Sequence, residues 1–225
     1  MSNTEWQAVF LTLRLAAVST ALLMLLGAPL AWWLARQRGN LAALVEALVA
    51  LPLILPPTVL GFYLLLALAP SALPGRLWET LTGSQLAFSF PALVIGSVLY
   101  SLPFVVQPLQ QAFRAVPAPL LDAAATLGAA PRDQFLSVVL PLTRRSFVVA
   151  AALGFAHTVG EFGVVLMIGG NIPGETQVLS IALYDHVEAM DYASAHRLAL
   201  LLVAFSLLLL FALYRDGGWR LGRSP

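Results

Sequence analysis

The chain contains no cysteine and no lysine, and its twelve basic residues are all arginine. Without cysteine, neither a disulfide framework nor a thiolate metal site is possible. Charge of either sign is scarce. Only 10% of the residues are charged, against about 25% in an ordinary soluble domain, so the composition points to a bilayer protein. Histidine occurs only at His157, His186 and His196. No HExxH, GxSxG or GxxxxGKS pattern is present, which disfavours an intramembrane enzyme and gives ATP no phosphate loop in this chain. No cofactor or metal is expected, and nucleic acid is not an expected partner. The opening MSNTEW has no basic residue ahead of the first apolar run. A cleaved signal peptide normally has one, so the first apolar segment is expected to remain in the mature protein.

What is present is apolar and continuous. A spanning helix needs about 20 mostly apolar residues, and five segments come close: about Ala8–Ala35, Ala47–Ala69, Phe90–Phe113, Ser146–Ile168 and Leu198–Tyr214. Continuous rather than alternating runs favour helices over a barrel. The fold class read from this is all-α integral membrane, one domain over residues 1–225, with about five transmembrane helices. Arginine placement sets the orientation. Arg36 and Arg38, then Arg114, Arg132, Arg144 and Arg145, then Arg215, Arg220 and Arg223 fall in three loops on one side. The opposite loops hold only Arg76 and, at a span edge, Arg197. The N-terminus is therefore expected outside and the C-terminus in the cytoplasm, in a bacterial-type inner membrane.

Between the third and fourth spans lies a polar island, about residues 114–145, containing DAAATLGAAPRDQFLSVVLPLTRR. Its spacing predicts a helix–turn–helix outside the bilayer. Leu120–Leu127 is the first helix, Gly128 the turn, and Arg132–Val139 a second short helix with Pro131 near its start and Pro141 ending it. A long loop or a helix lying on lipid are the alternatives from physics alone.

The island also carries a pattern. Asp122-Ala123-Ala124, three residues, Gly128, nine residues, Val138, one residue and Leu140-Pro141 resemble the EAA loop of ABC importer permeases. Asp stands for Glu and Val for Ile. Two further stretches narrow the resemblance: LPLILPPTVLGFYLL from Leu51 and HTVGEFGVVLMIGGNIPGETQVLSIALY from His157. With the short length and five spans, they resemble the molybdate/tungstate permease group, over about Trp6 to Tyr214. Sulfate/thiosulfate permeases are related and stand second. The resemblance implies a type I ABC importer permease fold and no enzymatic activity in this chain. It implies alternating access driven by ATP hydrolysis in a cytoplasmic partner, present in two copies on a permease homodimer. A periplasmic or extracellular binding protein would deliver the oxyanion. The island would be the coupling loop that docks on the ATPase.

Several residues within the spans invite a role. Pro52, Pro56 and Pro57 interrupt the second span, which predicts either a kinked, pathway-lining helix or a packing kink. Thr58 follows the break and could hydrogen-bond an oxyanion or cap the backbone. Thr158, Ser97 and Ser101 are similar candidates, though small polar residues also serve helix packing. Glu161 is a carboxylate inside a span, where charge is expensive and usually functional or paired. Its depth matches that of Arg14, so an Arg14–Glu161 pair at an outer gate is expected, with a local His157–Glu161 hydrogen bond as the competing arrangement. Gly160 and Gly163 allow close helix approach, either across a two-fold axis or within one subunit. The loop charges around Arg197 are candidate contacts for the binding protein or simply solvated.

Overall fold

The computed structural model describes residues 1–215. Arg220, Arg223 and the C-terminus lie outside the described residues. Among the described residues there is no strand, and eleven α-helices follow one another. Four helices are long and apolar enough to cross a membrane, or five if one sharply bent pair counts as a span.

The frame is three long helices packed together: α1 (Asn3–Arg36), α5 (Phe90–Arg114) and α8 (Leu140–Gly160). The start of α1 is a capping box, in which the Ser2 hydroxyl accepts from Glu5 N–H and the Glu5 carboxylate accepts from Ser2 N–H. Leu23, Leu34, Val105, Val106, Leu109 and Val139 fill the space between the three helices toward their Arg-rich end. There Trp32, Phe113 and Phe135 meet edge to face, with ring centroids 5.2–5.9 Å apart. Lipid tails are as apolar as leucine, so these contacts stabilise through dispersion and fit rather than release of water. A second core at the opposite end joins Leu15, Leu93, Val164, Ile168 and Ile181. The last helix, α11 (Tyr192–Arg215), exposes Leu207, Leu208 and Phe211. On a spanning helix that face suits lipid.

Two expected spans are broken. The second is no mere kink. It consists of α2 (Asn40–Ala50), a 3-10 turn over Leu51–Leu53 and α3 (Pro57–Leu68), bent by 111°. Pro52, Pro56 and Pro57 remove three consecutive chances to continue the helical ladder. The fourth span does not run from Ser146 to Ile168. Its helix ends at Gly160, the chain is extended at Glu161 (φ −69, ψ 135), and a separate α9 spans Gly163–Gly169.

The polar island begins as expected and ends differently. Helix α6 (Ala118–Thr126) is closed by Gly128 at φ +87, with Gly128 N–H bonded to Ala125 O and Ala129 N–H to Ala124 O. This is the Schellman arrangement, which needs a left-handed residue where Gly128 stands. The second short helix is not separate. The turn α7 (Pro131–Gln134) passes through a π turn at Phe135–Val139 directly into α8, and Pro141 does not stop it. Leu140 N–H reaches back to Phe135 O. The extra residue in that wider turn makes room for the Pro141 ring, which in a regular helix would strike a carbonyl.

At the other end lie two short helices, α4 (Leu73–Thr82) and α10 (Leu179–Glu188). The second contains the stretch IALYDHV. The first was not anticipated, because its few apolar residues are too short a run to register as a span.

Candidate functional site

The two breaks meet. Gly163, which opens α9, lies so close to Pro57, which opens α3, that a Cβ on it would stand 2.8 Å from Pro57 Cβ. One turn further on, a Cβ on Gly61 would stand 2.7 Å from Met167 Cβ. Glycine at both positions thus lets α3 and α9 pack backbone to backbone. For Gly163 the close approach is within one chain. Around Gly160 there is open space, with nothing within 4 Å of where its Cβ would be.

Beside this contact is a cavity of about 500 Å³ lined by Pro57, Thr58, Tyr100, His157, Glu161 and Phe162, with Ala156, Gly160 and Gly163 completing the wall. Of the pathway residues expected from sequence, Pro57, Thr58, Gly160, Glu161 and Gly163 therefore share one cavity. Pro56 is the residue before α3 and does not line it. Thr158 is buried behind it, 3.1 Å from the Ser101 hydroxyl. Ser101 also bonds His157 Nδ1 at 2.8 Å. The His157 ring stacks on Phe104, with centroids 3.9 Å apart, and leans on Tyr100 at 4.8 Å. Ser101, which sequence offered only as one hydroxyl among several, is the hinge of this small network.

The Arg14–Glu161 pair does not form. Arg14 is on an exposed face of α1, its guanidinium 4.4 Å over the Phe90 ring. Glu161 is only 3% exposed, and neither carboxylate oxygen has a hydrogen-bond partner. Equal depth in two spans does not put two side chains on facing sides, and that is why the expectation fails. The competing His157–Glu161 bond is also absent. The helix ends at Gly160, so the four-residue spacing no longer aligns the two, and His157 is held by Ser101. Ser97 is close to Glu161 without closing a hydrogen bond of normal geometry. The linker itself is fixed through its backbone: Ser180 Oγ on α10 donates to Glu161 O at 2.5 Å.

The island residues stand apart from this cavity. No residue of α6 is buried, and Leu127 is 89% exposed. Asp122 and Ala123 are exposed and Ala124 is half-buried. Val138, Leu140 and Pro141 lie around the π turn that enters α8. Gln134 was missed from sequence. It is buried, and its side chain donates to Ala129 O at 3.0 Å, latching the turn to the next helix. A glutamine three residues after a helix-starting proline carries no signal without knowing where the turn folds back.

The charges at the opposite end are largely engaged within the chain. Arg197 donates to Ser194 at 2.9 Å and lies 3.7 Å from Glu5, which is 3.2 Å from His186. Ser194 holds the Asp191 carboxyl below its ordinary range through its hydroxyl and N–H. Among the described residues no cluster of three His, Asp or Glu side chains is placed to hold a metal ion.

Residues 27–215 match the model of one family, the binding-protein-dependent transport system inner membrane component. The chain is 55% identical to the molybdenum transport system permease protein ModB of Azotobacter vinelandii, over 100% of this chain and 99% of that one. It is 33% identical to the protein of the same name from Escherichia coli K12, over 92% and 91%. To the sulfate transport system permease protein CysT of E. coli K12 it is 32% identical, over 95% of this chain and 77% of that one. Two solved structures share its fold. An inward-facing MetNI methionine ABC transporter has a TM-score of 0.74 at 21% identity, covering 96% of this chain and 97% of that one. A bacterial alginate ABC transporter has a TM-score of 0.77 at 14% identity, covering 96% and 78%.

Proposed function

The chain belongs to the family of binding-protein-dependent transport system inner membrane components, and on that premise we propose that it is the membrane-spanning permease of an ABC importer for molybdate or tungstate. The observation that carries the substrate is the 55% identity, end to end, with a molybdenum permease. Against it, the likeness to a sulfate permease is weaker and leaves a quarter of that protein unmatched. The chain is a transport subunit of the inner membrane. ATP is hydrolysed on a cytoplasmic partner and the oxyanion arrives on a binding protein.

Within that reading the Arg-rich end faces the cytoplasm, as basic loops favour. A homodimer carries two ATPase subunits, each gripping the island through α6, with Asp122, Ala123, Ala124, Gly128, Val138, Leu140 and Pro141 forming the coupling element. A helix with no buried residue of its own supports this role, because its stability and position then answer to a partner. The unbroken helix from Pro131 to Gly160 suits transmission. It starts beside α6 and ends at the cavity, so a push on the island is delivered to the Glu161 linker.

The pathway runs past that cavity. Thr58 sits at the N-terminal end of α3, the positive end of a helix dipole, where an oxyanion is favoured. Glu161 offers a dianion no positive charge, and its place in a two-residue linker between helices makes it a gate element instead. Weak contacts suit permeation, since the ion has to leave again. Discrimination among oxyanions then resides mainly in the binding protein.

The test is ATP hydrolysis and uptake by the complex reconstituted in liposomes, with the binding protein loaded in turn with molybdate, tungstate or sulfate. Stimulation by the first two but not sulfate is expected. Stimulation by sulfate alone would transfer the assignment to sulfate transport. Indifference to all three in an intact complex would remove the oxyanion reading.

A further inference from the structure

A separate cavity lies at the Arg-rich end. It measures about 590 Å³ and lies where α1 and α5 finish and α6 begins, walled by Trp32, Arg36, Arg38, Arg114, Leu121 and Asp122. Three arginines and one carboxylate residue thus share its wall. Their charges are unequally satisfied. Arg114 pairs with Glu46 and bonds Leu34 O. Arg36 lies 4.4 Å over the Trp32 ring. Neither Arg36 nor Arg38 has a carboxylate within 4.0 Å among the described residues, and Asp122 pairs with none of the three.

We propose that this pocket binds a phosphate-type oxyanion group, and that the bound group ties α6 to the ends of α1 and α5. Arginine presents a planar fork of donors that matches two oxygens of a tetrahedral anion at once. Arg36 is already oriented by its stacking on Trp32, so less freedom is lost when it binds. The Asp122 carboxylate opposes an anion, which limits affinity and leaves the site responsive to concentration. Trp32 lies one turn from the end of a spanning helix, near the level at which aromatic side chains meet lipid headgroups. Two sources can therefore supply the same chemistry: the headgroup of an anionic phospholipid, or a free oxyanion in solution on that side. That the tie influences transport rests on the coupling role proposed for α6. The binding itself does not.

The test reads binding through stability, so it is independent of transport. The full-length protein is placed in phosphatidylcholine nanodiscs and its melting temperature followed. Phosphatidylglycerol is then included in the disc or, separately, sodium phosphate is added against sodium chloride of equal ionic strength. A ligand that binds only the folded form raises the melting temperature. The wild type is expected to gain several degrees from at least one addition, and the Arg36→Gln/Arg38→Gln variant to lose most of that gain. A gain from phosphatidylglycerol alone assigns the site to lipid, and a gain from phosphate assigns it to a soluble anion. No gain with either, or an undiminished gain in the double variant, overturns the proposal. Should the glutamine variant fail to fold, Arg36→Lys/Arg38→Lys decides. It keeps the charge and loses the fork, so its gain has to be smaller than that of the wild type, and an equal gain overturns the site.

Discussion

Replacing Gly163 or Gly61 by alanine probes the contact that brings the two broken spans together. A Cβ on Gly163 would stand 2.8 Å from Pro57 Cβ, and one on Gly61 would stand 2.7 Å from Met167 Cβ and 3.3 Å from the Val164 Cα. None of these atoms is the free end of a flexible side chain. The shortest approaches fall about 0.6 Å or more inside the 3.4 Å at which ordinary contact begins, so α3 and α9 have to separate. Overpacking of this kind costs ~1–3 kcal/mol. At Gly61, inside α3, alanine recovers ~1 kcal/mol of helix propensity, which makes Gly163→Ala the more damaging change. Gly160→Ala is the control, since open space surrounds that position. In a chain of this length each kcal/mol moves the melting temperature by about 2–4 °C. Gly163→Ala is then expected to lower it by roughly 2–12 °C, measured by size exclusion of the heated protein in detergent, while Gly160→Ala leaves it nearly unchanged. Equal melting temperatures for the two variants would refute the argument that the α3–α9 contact holds the cavity together. A Gly160→Ala protein that melts normally but no longer associates with itself would instead place Gly160 at a contact between copies.

Four further changes have expected outcomes. Gly128→Ala puts a side chain on a residue at φ +87. It is expected to cost ~1–2 kcal/mol of local strain and to reduce uptake by the reconstituted complex more than its ATP hydrolysis, whereas equal loss of both would argue against a coupling role. Exchanging Arg14 and Glu161 by double charge reversal is expected to restore nothing lost in either single variant, and Glu161→Gln is expected to hold or raise the melting temperature because a buried carboxylate without a partner is costly. Recovery of transport in the exchange would reinstate a direct pair. Ser101→Ala removes the partner of both His157 Nδ1 and Thr158 Oγ1, and is expected to destabilise by ~1–3 kcal/mol. An unchanged thermal midpoint would mean that water fills the gap at no cost.

Local rules carried the reading wherever one segment's own chemistry decides its shape. The apolar runs predict the helical class because a bilayer leaves backbone groups no other partner. Gly128 reads as a turn because the Schellman cap needs a left-handed residue at that point. The reading failed wherever two segments had to be placed against each other. Pro141 looks like a helix stop, yet the π turn before it absorbs the ring. Arg14 and Glu161 look like a pair from their depths, yet rotation about two helix axes turns them apart, toward Phe90 and toward the cavity.

From sequence alone came the membrane class, the single basic side, the exposed polar island and several of the residues that line the Glu161 cavity. These follow from composition, spacing and the rigid preferences of proline and glycine, which act within a few residues of themselves. Only the tertiary structure decided that the second span bends by 111°, that the fourth ends at Gly160, and that both breaks face one cavity. It also decided that Arg36, Arg38 and Arg114, from two different helix ends, line a common pocket. The physical reason is that such meetings depend on the relative rotation and offset of helices far apart in the chain. Those are set by the sum of many packing contacts, and no short stretch of sequence records that sum.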